Sequence, residues 1–174
     1  MNSLTDQEQK ELVRLMNKLS FPMPLAVFEA RCRVFGTVCA EVVVIKNRNK
    51  DAQIFLTYRD DKFFKGWHIP GRVCLPTEKI SDTTQRVCKE EIKMKTGKKI
   101  FFNWFERPFG SGIGKSPRGH EFSFVFLSEL KGKVKEKTTE KFFSLKNLPK
   151  DLLLSQKPII KELLSIKLSD CFTD

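Results

Sequence analysis

The stretch at residues 66–97, GWHIPGRVCLPTEKISDTTQRVCKEEIKMKTG, decides how the rest of this chain is read. It reads as strand, polar loop, short helix and loop. Pro70 and Gly71 end an extended run, Pro76, Thr77 and Glu78 shape a loop, and Ser81 or Asp82 caps a helix that carries Arg86, Glu90 and Glu91. Asp82 with Gln85 three residues on is close to a capping box. Arg86 and Glu90 stand one helical turn apart and can pair on one face. Glu91 lies on the neighbouring face, and Glu78 can fold back towards the first turn. Carboxylates converging at such a junction make a hard oxygen site suited to magnesium, which takes a few carboxylates plus substrate phosphates and keeps its waters. The competing reading is a solvated helix face with an ordinary Arg–Glu pair.

The order of residues favours the first reading. Glu78, seven residues, then Arg86, Val87, Cys88, Lys89, Glu90 and Glu91 resembles the signature of the Nudix hydrolase superfamily. That signature runs Gly, five residues, Glu, seven residues, Arg-Glu-apolar-any-Glu-Glu-any-Gly. Here six residues separate Gly71 from Glu78, Val87 stands where the first helix Glu is expected, and Lys93 takes the place of the closing Gly. With the nearest glycine at Gly97, the helix is expected to run about a turn longer. The resemblance implies an α+β fold, a Nudix-type α/β/α sandwich with a mixed β-sheet. It also implies hydrolysis of a nucleoside diphosphate linked to another group, with Mg2+ or Mn2+. Carried over residue by residue, Glu90 and Glu91, with Glu78, are the metal ligands, and Arg86 orients Glu78 or Glu90 by a bidentate hydrogen bond. The run Trp67, Pro70, Gly71, Arg72 is similar to that of the GDP-mannose mannosyl hydrolase branch, which lacks the first helix Glu and works with one magnesium. That likeness makes Glu91 the chief ligand and implies a nucleotide sugar. It sets Arg72 or Arg86 on the diphosphate and makes His120 the candidate base.

At 174 residues the chain suits one domain with a real core. Sixteen Phe and 40% hydrophobic residues argue for a packed globule. No apolar run is long enough to span a bilayer, and the N-terminus lacks a signal-peptide core. Cys32, Cys39, Cys74, Cys88 and Cys171 show no C-x-x-C spacing, so they read as reduced thiols of a cytoplasmic protein. The net charge of +11 favours polyanions, whether nucleotide, nucleic acid or acidic lipid. Residues 131–150 hold seven Lys and two Glu with few interleaved aromatics, so RNA is a permitted partner without a base-stacking platform.

Around the central stretch, residues 5–19 form an amphipathic helix behind the cap Thr5–Glu8, resting on the domain or on a partner subunit in a homodimer. Phe21-Pro22-Met23-Pro24 ends it, and a short helical piece at residues 26–31 can follow. The expected division is a helical extension at 1–30 and a catalytic domain at 31–174. Residues 35–46 read as a buried strand, residues 47–50 as a turn and residues 54–58 as its hairpin partner. In the family such a hairpin ends in a basic residue, here Arg59. Residues 99–105 and 121–127 read as strands around a Gly- and Pro-rich loop, 106–119. That loop carries Lys115 and Arg118, which either reach substrate phosphates or face solvent. A final helix at about 155–167 turns Ile159, Ile160, Leu163, Leu164 and Ile166 inwards. A catalytically silent Nudix-fold module that binds nucleotide or RNA is the alternative reading.

Overall fold

The computed structural model describes residues 4–20, 22–48, 51–132 and 136–172. Phe21 and the Asn49-Lys50 half of the expected turn lie outside them. The elements are α1 (Asp6–Met16), α2 (Leu25–Val34), β1 (Thr37–Lys46), β2 (Gln53–Asp60), β3 (Lys65–His68), β4 (Gly71–Val73), α3 (Ile80–Val87), β5 (Ile100–Arg107), β6 (Glu121–Glu129), β7 (Glu140–Ser144) and α4 (Lys157–Ser165). No described helix is long and apolar enough to cross a membrane.

β1 is the organising strand. It runs parallel to β6 from Thr37–Glu121 to Ile45–Glu129, while its other edge is shared by β4 (Ala40 opposite Arg72) and β2 (Ile45 opposite Ile54). β2 also pairs with β3 and β7, and β5 closes the far edge against β6, all antiparallel. Both faces of β1 are covered, which explains its nearly unbroken apolar run. Val43 and Ile45 join Ile54, Leu56, Val125, Leu127 and the α4 residues Ile159, Ile160 and Leu163 in one core. Val42 and Val44 turn the other way, to Phe55, Val87 and Ile92. The result is the expected mixed sheet between helical layers.

Several boundaries differ from expectation for identifiable reasons. α3 starts at Ile80, with Lys79 at the N-cap and Asp82 accepting the Lys79 N–H at 3.2 Å, so neither Ser81 nor Asp82 is the cap. It does not run a turn past Glu91. A single π turn, Cys88–Ile92, closes with Lys93 N–H donating to the Cys88 carbonyl at 2.8 Å, and Lys93 itself takes φ +54°. Lys93 thus adopts the left-handed conformation that glycine usually supplies at a helix end. Leu164 is 55% exposed; with Ile159, Ile160 and Leu163 inwards, it falls on the outer side of α4.

α2 is longer than the expected helical piece and crosses the 30/31 boundary. It is fixed to the sheet domain by buried Cys32, which accepts from the Thr37 hydroxyl at 3.5 Å, and by the Glu29–Lys62 ion pair at 2.7 Å. Gly119 makes this fit possible. A Cβ there would lie 2.0 Å from the Cys32 carbonyl oxygen. Gly119→Ala is therefore expected to lower stability by about 2–4 kcal/mol, read as a fall in Tm.

Candidate active site

The loop before α3 is held by one charge pair. Arg86 donates through Nε to Glu78 Oε1 (2.7 Å) and through NH2 to Glu78 Oε2 (2.8 Å) and to the Val73 carbonyl (2.8 Å). Leu75 N–H (3.1 Å) and the Thr83 hydroxyl (2.9 Å) also donate to Glu78 Oε2. The Arg86 hydrogen bonds hold the Glu78 carboxyl down at about 2. Arg86 thus pairs with Glu78 and not with Glu90, and Glu78 is engaged in shaping the loop.

Glu90 and Glu91 instead meet at Arg72. The Arg72 guanidinium lies 2.8 Å from Glu91 Oε1 through Nε and 3.3 Å from Glu90 Oε2 through NH2. Gly71 N–H donates to Glu91 Oε2 at 3.0 Å. Burial pushes the Glu91 carboxyl upward, against the pull of Arg72 and the Gly71 N–H. Val87 is fully buried in the core beneath the helix, so the carboxylate expected there is replaced by a packing contact.

Gly71, Arg72, Arg86, Glu90 and Glu91 line a cleft of about 890 Å³, together with Arg59, His68, Arg118, Phe28 and Phe64, whereas Glu78 and Val87 are not among its lining residues. Arg59 pairs with Asp61 and stacks on Phe64 at 4.6 Å. Arg118 pairs with Glu121 and lies 5.5 and 5.7 Å from the Phe28 and Phe64 rings. Lys115 is not among the lining residues. Neither is His120, whose Nε2 faces Glu106 Oε1 at 2.8 Å and whose ring stacks on Phe122.

Sequence reasoning missed the floor of this cleft. Glu41 on β1 accepts from Arg107 NH2 (2.7 Å), Ser123 Oγ (2.9 Å) and Gln156 Nε2 (3.0 Å), all buried. Burial pushes Glu41 up, but Arg107 and the two neutral donors outweigh it and hold the carboxyl below its usual range. Arg107 also faces Glu121 at 3.8 Å. The single charged residue in the apolar run of β1 was the available signal.

The chain belongs to the NUDIX domain family. The family profile matches residues 38–163, well over half of the chain. No curated protein sequence matches it. Among solved structures it is similar to a MutT NUDIX hydrolase from Burkholderia pseudomallei (16% identity, TM-score 0.58, covering 74% of this chain and 98% of that one). It is also similar to a possible asymmetric diadenosine tetraphosphate hydrolase from Jonesia denitrificans (13%, 0.59, 81% and 99%). A third is the NUDIX domain of Shewanella oneidensis NrtR complexed with ADP ribose (14%, 0.55, 82% and 98%). At these identities the likeness is one of fold.

His68 supplies a pH test of this NUDIX domain. Its Nδ1 lies 2.8 Å from the Ile69 carbonyl, which can only accept, so Nε2 accepts from the Thr57 hydroxyl at 3.1 Å in a neutral ring. Burial, then Arg59, lowers its pKa from 6.5 to about 4. The folded value is the depressed one, so this stability is present above pH 6.5 and is lost as pH falls towards 4, by about 3 kcal/mol. Denaturant melts between these pH values are expected to show that loss, and His68→Gln to flatten it.

Proposed function

We propose that this NUDIX domain hydrolyses a nucleoside diphosphate linked to another moiety, such as a nucleotide sugar, with Mg2+ or Mn2+. The observation that carries the reading is the convergence of Glu90 and Glu91 on a single cationic group at the cleft. Arg72 is a stand-in cation there, and the donor set fits magnesium, which is bound through one or two carboxylates plus substrate phosphates. Among the described residues no three His, Cys, Asp or Glu side chains converge on one point, so phosphate and water would complete the shell. Glu78, engaged by Arg86, is better suited to fixing the loop than to ligation. When bound, the ion would neutralise the diphosphate and polarise the bond that breaks.

The chain's own groups divide the remaining work. Gly71 N–H fixes the rotamer of Glu91. Arg72, once released from the acidic pair, is placed to donate to a phosphate oxygen, where a guanidinium binds in a fork. Arg59, stacked on Phe64, adds a second positive charge on the cleft wall. His68, its pKa lowered to about 4 and both ring nitrogens engaged, is too weak a base to serve as the general base, and His120 lies outside the cleft lining.

A second reading, a silent module that binds nucleotide or RNA, is favoured by one observation. Arg72 already fills the acidic pair, and Val87 supplies no further oxygen. Turnover separates the two. With Mg2+ and a panel of nucleotide sugars, dinucleotides and capped RNA, the enzyme reading expects product release that Glu91→Gln lowers by more than about 100-fold with the fold intact. Salt-sensitive binding without turnover in the wild-type protein supports the module.

Arg72→Gln tests the stand-in cation directly. It is expected to tighten Mn2+ binding to the nucleotide-free protein several-fold while weakening nucleotide binding, as read by calorimetry. Unchanged Mn2+ affinity would remove Arg72 from the ion's place.

A further inference from the structure

α2 lies ahead of residues 38–163, the segment that the NUDIX profile matches, and yet it belongs to the cleft. Phe28 on α2 lines it, as do Pro22 and Met23 just before the helix. Two anchors hold them there. Cys32 is buried against Gly119, whose missing Cβ admits the helix backbone, and Glu29 pairs at 2.7 Å with Lys62 in the turn between β2 and β3. One wall of the cleft is thus supplied from outside the matched segment, and its side chains are unlike those at Arg72, Glu90 and Glu91.

The turn between β2 and β3 supplies the rest of that wall. Asp61 Oδ1 accepts from the Phe63 and Phe64 N–H groups at 2.8 and 3.0 Å, and the Asp61 N–H donates to the Phe64 carbonyl at 2.9 Å. The turn is closed by these bonds, which fixes Phe64 as a lining residue. The Arg118 guanidinium lies 5.5 Å from the Phe28 ring centre and 5.7 Å from that of Phe64, and Arg59 lies 4.6 Å from the same Phe64 ring. Both guanidiniums are already paired, Arg118 with Glu121 and Arg59 with Asp61. What Arg118 adds between the two rings is therefore a flat plane as much as a charge. Guanidinium planes and aromatic faces both attract a π system, and a thioether such as that of Met23 packs well on a ring. Pro22, Met23, Phe28 and Phe64 offer no hydroxyl, amide or charged group with which to hold the hydroxyls of a sugar.

We propose that this wall is a nucleobase subsite, in which the aromatic base of the substrate stacks on Phe28 beside Met23 and Arg118 while its diphosphate lies at Arg72, Glu90 and Glu91. The subsite presupposes the nucleotide reading of the cleft given above and deepens it, because it names the part of the substrate that the N-terminal segment recognises. A cleft of about 890 Å³ has the size of a site for a ligand of several rings. Stacking asks for a π face and not for particular edge atoms, so adenine and guanine nucleotides are both expected to bind. Phe28 is a specificity-determining residue in this arrangement and takes no part in the bond that breaks.

The test is calorimetry on the full chain with Mg2+, using ADP, GDP and inorganic pyrophosphate, which is a diphosphate without a base. The wild-type protein is expected to bind both nucleotides more tightly than pyrophosphate. Phe28→Ala should weaken ADP and GDP by about tenfold or more and leave pyrophosphate unchanged, and Phe28→Tyr, which keeps the ring, should restore the wild-type values. Phe28→Leu is measured beside them, because it keeps apolar bulk on α2 while removing the π face; it should behave as Phe28→Ala does. Nucleotide affinity that does not depend on Phe28, or a loss shared equally by pyrophosphate, overturns the subsite and leaves the hydrolase reading standing. Phe28-dependent nucleotide binding without turnover supports the subsite and counts against hydrolysis. Failure of the wild-type protein to bind any of the three probes overturns both.

Discussion

The burial of Val87 and Ile92 against Val42, Val44 and Phe55 sets the rotation of the helix on which this cleft depends. Each fully buried aliphatic side chain contributes roughly 1.5–3 kcal/mol, which outweighs the surface charge pairs nearby. With Val87 pressed to the sheet, Arg86 faces the loop and finds Glu78, and the π turn that follows carries Glu90 and Glu91 to Arg72. Val87, where the sequence resemblance led us to expect a carboxylate, is therefore the residue that anchors the helix. The same residue fixes the direction in which Glu90 and Glu91 project.

A second constraint acts beneath the cleft. Glu41, Arg107, Glu121 and Arg118 place two positive and two negative groups in the interior, near the end of the apolar core. Removing one member of such a set costs more than the set contributes, because its partner stays buried and unpaired. The network joins β1, β5, β6 and the loop ahead of β6, so the wall that carries Arg118 and the floor beneath Glu91 are held as one body. α2 extends that body: Phe28 lies over Arg118, and Gly119 admits the helix backbone. The cleft wall thus includes residues ahead of the segment matched by the NUDIX profile.

What could be read from the sequence followed from local pattern. β1 is a run of apolar β-branched residues, α1 has its Thr5–Glu8 cap, and the Glu78–Arg86 spacing is a motif; each lies within a few residues. What could not be read depended on distant partners or on backbone geometry. Glu41 and Arg107 are 66 positions apart and meet only when β5 and β6 close the sheet. Lys93 ends its helix in a conformation that propensity assigns to glycine. Arg72 could be named as a phosphate contact, but its place between Glu90 and Glu91 depends on β4 lying against β1. His120 stood at a loop–strand junction, and strand alternation places its neighbour Phe122 on the outward face.

The proposed hydrolysis requires Glu90 and Glu91 to hold a divalent cation against a bound diphosphate. Paramagnetic line broadening tests it most directly: substoichiometric Mn2+ is added to ¹⁵N-labelled protein saturated with a nucleoside diphosphate. Selective loss of the amide signals of Gly71, Arg72, Glu90 and Glu91 is expected. Uniform weak broadening, or loss centred on another part of the surface, would contradict it.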